Sequence, residues 1–143
     1  MRVKQLSVFL ENKSGRLAEV LRLLSEAGIS LRALSLADTR DFGVLRVIVD
    51  DVGKAHAMLK ERGITANETD VLAVEVSDRP GGLVGILDLL ANQHVSVEYM
   101  YAFVARSGDR AIMIFRFDNV DQAAGALQRG GVRILTGAEL YAL

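Results

Sequence analysis

This sequence lacks several features, and each absence excludes or argues against a class of protein. Without cysteine, neither disulfide frameworks nor thiolate metal sites are possible. Lysine and arginine (17 residues) balance aspartate and glutamate (18 residues), and a net charge of −1 argues against a nucleic-acid surface. No apolar run reaches the roughly 18 residues that span a bilayer, and the N-terminus shows no signal-peptide core. We therefore expect a cytoplasmic protein that binds neither nucleic acids nor membranes.

The sequence does contain an internal repeat. Gly15 and Gly81 lie in similar polar loops 66 positions apart, and the apolar pattern after each loop also repeats. The matched positions are Leu17, Val20, Leu21 and Leu24 in the first copy and Leu83, Ile86, Leu87 and Leu90 in the second. Gly63 returns as Gly131 at an offset of 68, so the second copy carries two inserted residues. Repetition at a fixed period indicates a repeated structural unit, and we predict two units, residues 1–69 and 70–143.

The hydrophobic periodicity of each copy predicts the element order β-α-β-β-α-β, which is that of the ferredoxin-like split βαβ fold. We expect an α+β protein whose two tandem units pair through edge strands into one pseudo-symmetric, eight-stranded antiparallel sheet, with the helices on one face. The second strands are apolar on both parities, so we also expect a homodimer that covers the helix-free face. Residues 137–143 align with the start of a third, truncated copy and are interpreted as an extra strand.

Patterns typical of catalysis are missing from this framework. The two histidines, His56 and His94, do not recur at equivalent positions of the two copies, and we interpret both as surface residues. No nucleophile and base are paired, no residues cluster as metal ligands, and there is no phosphate-binding loop. We expect no enzymatic activity, no metal and no cofactor.

Two loop sequences carry a resemblance to a known family. Residues 12–17 read Asn-Lys-Ser-Gly-Arg-Leu and residues 78–83 read Asp-Arg-Pro-Gly-Gly-Leu. Both resemble the Asn/Asp-Arg-Pro-Gly-x-Leu signature of ACT domains, and residues 27–31 (Ala-Gly-Ile-Ser-Leu) resemble the stretch that opens the second ACT strand. The resemblance covers both copies and is similar in particular to stand-alone tandem ACT proteins with no attached enzyme.

This resemblance implies a regulatory or sensor protein that holds a free amino acid at the interface between the two units. An unidentified metabolic enzyme is a possible partner. The alternative is a ligand-independent regulatory or interaction subunit of an enzyme of amino-acid metabolism.

ACT families bind amino acids where the first loop of one unit meets the second strand of its neighbour. A helix N-terminus there offers unpaired N–H groups to a carboxylate, and glycine lets the ligand approach the backbone. The positions implied by the family are Asn12, Ser14, Gly15, Arg16, Leu17, Ser30, Leu31, Asp78, Gly81, Gly82, Leu83, Ser96 and Val97. Tyr99 and Tyr101 alternate along the second strand of the second copy, and either line the same pocket or pack in the core.

Two alternatives stay open at this stage. Asn12 and Asp78 either cap the following helix or contact the ligand, where Asp78 would suit an ammonium group. The copies also differ, because Lys13-Ser14 replaces the Arg-Pro of the signature and His94 replaces its glycine, so one or two sites per chain are both compatible with the sequence. A tyrosine wall would favour a ligand with an apolar, aromatic or imidazole side chain.

Overall fold

The computed structural model describes residues 2–38, 41–103, 105, 106 and 108–143. Within this part of the chain the strands are β1 (Val3–Glu11), β2 (Leu31–Asp38), β3 (Phe42–Val49), β4 (Ala66–Ser77), β5 (Val97–Ala102), β6 (Arg110–Phe117) and β7 (Ile134–Leu135). The helices are α1 (Arg16–Glu26), α2 (Val52–Glu61), α3 (Gly82–Asn92), α4 (Val120–Arg129) and α5 (Gly137–Tyr141). The chain divides into two compact units, an N-terminal unit of Lys4–Thr69 and a C-terminal unit of Asp70–Leu143 with Arg2 and Val3.

Each unit has the predicted βαββαβ order. In the N-terminal unit β2 lies at the edge, followed by β3, β1 and the first residues of β4. In the C-terminal unit β5 lies at the edge, followed by β6, the rest of β4 and β7. The pairs β1–β3, β2–β3, β4–β6, β4–β7 and β5–β6 are all antiparallel. The α+β ferredoxin-like architecture is therefore confirmed.

The predicted number of eight strands is wrong, since the described residues form seven. We expected one strand near residues 64–67 and another near 71–76, but β4 runs without interruption from Ala66 to Ser77. The physical reason is local, because the connecting residues Glu68, Thr69 and Asp70 include no glycine or proline to turn the chain. One strand thus ends the first repeat and begins the second.

Each unit has its own hydrophobic core between its sheet and its two long helices. In the N-terminal unit, Val20 and Leu24 of α1 pack with Leu45 and Val47 of β3. In the C-terminal unit, Phe115 and Phe117 are fully buried, and their rings stack with centroids 5.3 Å apart and planes 7° from parallel. Because residues two apart in a strand share a face, the helix-facing side of β6 is aromatic.

The opposite, helix-free side of β6 is also apolar and buried. Ile112 and Ile114 alternate with the two stacked phenylalanines and are at most 1% exposed. Tyr101, the register partner of Ile114, is 9% exposed. This part of the face is therefore buried in the single chain without a second copy, and the homodimer stays a prediction.

The C-terminal residues form a helix, so the predicted extra strand at 137–143 is wrong. The Thr136 hydroxyl accepts a hydrogen bond from the Glu139 N–H (3.2 Å), and the Glu139 carboxylate accepts one from the Thr136 N–H (3.5 Å). This reciprocal capping box starts α5. Its signature, Thr-x-x-Glu, is present in the sequence at 136–139 and overrides the weak alignment to a third repeat.

The four long helices end in the same way. One residue adopts the left-handed conformation, and the backbone N–H of the next residue donates a hydrogen bond to the carbonyl five residues before it. The left-handed residues are Gly28, Gly63, His94 and Gly131. The returning N–H groups donate to carbonyls inside the helices: Ile29 to Leu24, Ile64 to Leu59, Val95 to Leu90 and Val132 to Leu127. This is the Schellman arrangement, in which glycine is preferred because a Cβ is strained. His94, with φ of 56°, is the non-glycine exception among the described residues.

We expect His94→Gly to raise the free energy of unfolding by about 1 kcal/mol, because relief of left-handed strain exceeds the entropy that glycine adds to the unfolded chain. Urea unfolding followed by circular dichroism measures this. The matched change Gly28→His, at the equivalent position of the first copy, should destabilise the protein. A destabilised His94→Gly variant would contradict the prediction and assign a stabilising contact to the imidazole.

Candidate functional site

The two predicted ligand loops have the same backbone conformation. Gly15 and Gly81 each have φ of 87° and ψ of −10°, in the left-handed region. Equivalent backbone hydrogen bonds close the two loops: Lys13 to Glu11 and Arg79 to Ser77, then Arg16 to Lys13 and Gly82 to Arg79. Replacement of Arg-Pro by Lys-Ser in the first loop therefore leaves its shape unchanged. Glycine is needed at both left-handed positions on conformational grounds alone.

Neither Asn12 nor Asp78 caps the helix that follows it. Gly15 and Gly81 are the N-cap residues, and neither α1 nor α3 has a side-chain cap hydrogen bond within the described part of the chain. The Asp78 carboxylate instead lies 3.0 Å from the guanidinium of Arg106. Among the described residues, the Asn12 side chain has no hydrogen-bond partner. The capping interpretation is therefore wrong for both residues.

The glycines of the loops differ in the space around them. A Cβ built on Gly15 or Gly81 would meet no atom within 4 Å, so both positions are open. A Cβ on Gly82 would lie 2.1 Å from the Ser77 carbonyl oxygen. The chain itself occupies that direction at Gly82, which explains the glycine there by close backbone approach within the protein.

Charged side chains of the first loop compensate one another. Lys13 Nζ lies 2.9 Å from the Glu11 carboxylate, and Arg16 lies 3.1 Å from Glu19 and 3.7 Å from Glu11. The hydrogen bond and charge of Lys13, with a further contribution from Arg16, lower the pKa of Glu11. Ser14 is exposed between these pairs, and Leu17 packs against the core. The loop therefore presents paired charges and the unpaired amide of Asn12.

A small cavity of ≈180 Å³ lies beside the first loop. Asn12, Arg16 and Leu17 line one side, and Leu36 and Ala37 near the end of β2 line the other. Three predicted site residues are thus brought together at one cavity of the N-terminal unit.

Within one unit, the starts of the second strands lie away from the loops. The pairing of Glu11 with Phe42 places the first loop beside the beginning of β3, whereas Leu31 pairs with Val49 at its end. The same strand order in the C-terminal unit separates Ser96 and Val97 from the second loop. The loop and the strand-start residues of one unit therefore do not meet at a single site within that unit.

Backbone N–H groups at the starts of the second strands are already bonded. The Ser30 N–H donates to the Asp50 carboxylate and the Ser96 N–H to the Asp118 carboxylate, both at 3.0 Å. Each aspartate returns its own N–H to the carbonyl of the same serine, at 3.3 Å and 3.2 Å. Sequence reasoning missed these tethers, although an aspartate just before the second helix of each copy was an available signal.

Tyr99 and Tyr101 share the helix-free face of β5. Their register partners are Arg116 and Ile114, which lie on that face of β6. Tyr99 is half-buried and Tyr101 is buried. Of the two, Tyr99 is therefore the more accessible to a ligand.

His56 joins α2 to β4. One ring nitrogen lies 3.0 Å from the Glu68 carboxylate and the other lies 3.0 Å from the Ala66 carbonyl oxygen.

No group of three histidine, cysteine, aspartate or glutamate side chains suited to a metal occurs among the described residues. Within the same part of the chain, no helix has the length and apolar character needed to cross a membrane.

Comparisons with known proteins agree with the fold of this chain. Over 53 residues, or 37% of this chain, the sequence is 40% identical to the acetolactate synthase small subunit of Haemophilus influenzae, and the match spans 32% of that protein. The crystal structure of protein BT0572 from Bacteroides thetaiotaomicron shares 41% identity and a TM-score of 0.93, covering 100% of this chain and 98% of its own. The regulatory subunit of aspartate kinase from Thermus thermophilus shares the fold, with 19% identity, 90% coverage of both chains and a TM-score of 0.64.

The family comparison covers nearly the whole chain. The sequence profile described as "ACT domain pair" matches residues 1–141, which include both loops and both βαββαβ units. This protein therefore belongs to the family of ACT domain pairs.

Proposed function

We propose that this chain is a regulatory protein without enzymatic activity of its own, which binds a free amino acid between its two units. The observation that carries the proposal is the pair of loops with identical left-handed glycines, each opening a helix that no side chain caps. A helix start is suited to a carboxylate, because it leaves backbone N–H groups without intrahelical partners and its dipole is positive. In both loops the N–H of the first helical residue, Arg16 or Gly82, is bonded within the loop, so the second and third residues of each helix would supply the N–H groups.

The first loop is better prepared for a ligand than the second. Its Asn12 amide has no partner among the described residues and lies at a cavity, whereas Asp78 is already engaged by Arg106. The cavity measures ≈180 Å³, which is below the 300–1,000 Å³ of drug-sized sites and therefore suits only a small ligand. The second-strand residues Ser96, Val97 and Tyr99 belong to the proposed site, and Tyr99 favours an apolar, aromatic or imidazole ligand side chain.

The relatives support a regulatory role. The Haemophilus relative is a small subunit of acetolactate synthase, and the Thermus structure with the same fold is a regulatory subunit. By analogy, the partner of this chain is an enzyme of amino-acid metabolism. Amino-acid binding would signal to it by favouring one of two conformations.

A thermal-shift screen over the free amino acids tests the proposal. A ligand that binds only the native state at a hundredfold excess over its Kd adds about 2.7 kcal/mol of stability, which corresponds to a rise in Tm of roughly 5–10 °C. Asn12→Ala should abolish the shift, whereas Asn67→Ala, an exposed asparagine on β4, should leave it intact. If Asp78→Ala alone abolishes it, the site is at the second loop.

A specific observation favours the second candidate, a ligand-independent interaction subunit. Leu34 and Leu36 on the edge strand β2 are 42% and 51% exposed. Exposed apolar side chains on an open strand edge are typical of association surfaces. No thermal shift with any amino acid would favour this candidate, and sedimentation at micromolar concentration would test the predicted homodimer.

A further inference from the structure

Each unit has a cleft bounded by its first strand, its first helix and the turn after its second helix. In the N-terminal unit this cleft measures ≈280 Å³ and in the C-terminal unit ≈530 Å³. Only the larger cleft reaches the size range of small-molecule sites. The two clefts occupy equivalent positions of the repeat, so the difference in their volumes arises from the side chains that line them.

Three glycines line the second cleft at positions where the first copy has charged side chains. Gly82 stands where the first copy has Arg16, Gly85 where it has Glu19, and Gly130 where it has Arg62. Gly85 is the informative position, because a Cβ there would meet no atom within 4 Å. Glycine inside a helix lowers the stability of the helix by up to about 1 kcal/mol relative to alanine. Packing does not require glycine at position 85, so its presence there is not explained by the core.

Three other substitutions change the lining from apolar or neutral to charged. Residues 75, 110 and 133 are Glu75, Arg110 and Arg133, and the equivalent positions of the first cleft are Phe9, Phe42 and Thr65. An apolar wall remains on the helix side, formed by Ile86, Leu89 and Val132.

The three charged residues differ in their partners. Arg133 lies 3.0 Å from Glu75 and is also paired with Glu139, and its hydrogen bond lowers the pKa of Glu139. Among the described residues, the Arg110 guanidinium has no ion-pair partner. Because Glu75 already bonds Arg133, the cleft offers a cation to a ligand but no free carboxylate to an ammonium group.

We propose that the cleft of the C-terminal unit binds a small organic monoanion, with its carboxylate against Arg110 and its hydrocarbon part against Ile86 and Leu89. This site goes beyond the proposed amino-acid site. It lies within one unit, and of the predicted site residues it uses only Gly82. The first copy lacks this arrangement, because Arg16 and Glu19 occupy the equivalent space and Phe42 stands at the position of Arg110.

The probe is 4-methylpentanoate, whose binding to the full chain is measured by isothermal titration calorimetry. Gly85→Glu restores the carboxylate of the first copy and should raise the Kd at least tenfold by repelling the anion. Gly85→Ala is the matched control, has the same open space for its Cβ, and should change the Kd by less than twofold. Arg110→Gln should also raise the Kd at least tenfold. Circular dichroism melts confirm that each variant is folded.

Three results would overturn the proposal. One is no saturable binding of 4-methylpentanoate, and another is equal affinity in the Gly85→Glu or Arg110→Gln variant. The third is an affinity for leucine or inorganic phosphate equal to that for 4-methylpentanoate. Leucine has the same carbon skeleton with an added ammonium group, and inorganic phosphate has no apolar part. Equal affinity for either ligand would contradict the assigned chemistry. Asn12→Ala should leave 4-methylpentanoate binding unchanged, so failure of this site and failure of the amino-acid site give different results.

Discussion

Truncation of Phe115 to alanine should lower the free energy of unfolding by about 3–5 kcal/mol. The side chain is fully buried and its ring stacks on Phe117 at 5.3 Å, so the variant loses the transfer free energy of the ring, leaves a cavity and breaks an aromatic pair. Typical domains have only 5–15 kcal/mol of stability in total. Urea unfolding followed by circular dichroism gives the value.

The internal repeat supplies the control for this change. Val47 occupies the position of Phe115 in the first copy and is equally buried. Val47→Ala removes two carbons instead of a ring and should cost roughly 2 kcal/mol. A loss below 1 kcal/mol for Phe115→Ala, or a larger loss for Val47→Ala, would contradict the described core.

Valine at Gly15 or Gly81 should destabilise the protein by about 1–3 kcal/mol before any ligand is considered. Both glycines have φ of 87°, a conformation that strains every residue with a Cβ and β-branched ones most. Weak binding by a valine variant would therefore have two explanations, a blocked ligand and a distorted loop.

Asparagine at the same positions separates the two explanations. It adopts the left-handed conformation more readily than other side chains, so Gly15→Asn should cost less than about 1 kcal/mol. Its side chain would nevertheless project into the open space at Gly15, where no atom lies within 4 Å of a Cβ. If the proposed amino-acid site is correct, Gly15→Asn should weaken binding at least tenfold while the protein stays folded. Unchanged affinity in both Gly15→Asn and Gly81→Asn would place the site elsewhere.

The sequence by itself determined the features that depend on local pattern. The 66-residue offset between Gly15 and Gly81 and the apolar periodicity of the following helices were sufficient for the βαββαβ order, because helix and strand periods are properties of consecutive residues. The left-handed glycines were likewise readable, since few other residues tolerate that conformation. The capping box at Thr136 and Glu139 is likewise visible in the sequence as Thr-x-x-Glu.

Only the tertiary structure decided which distant side chains meet. Asp78 could be interpreted as a cap until its pairing with Arg106 was visible, and the tether from Asp118 to Ser96 joins residues 22 positions apart. The charged cleft of the C-terminal unit brings together Glu75, Arg110 and Arg133 from three separate segments. Hydrogen bonds and charges act over a few ångströms whatever the separation along the chain. Local periodicity therefore cannot predict their partners, and the fold must bring them together first.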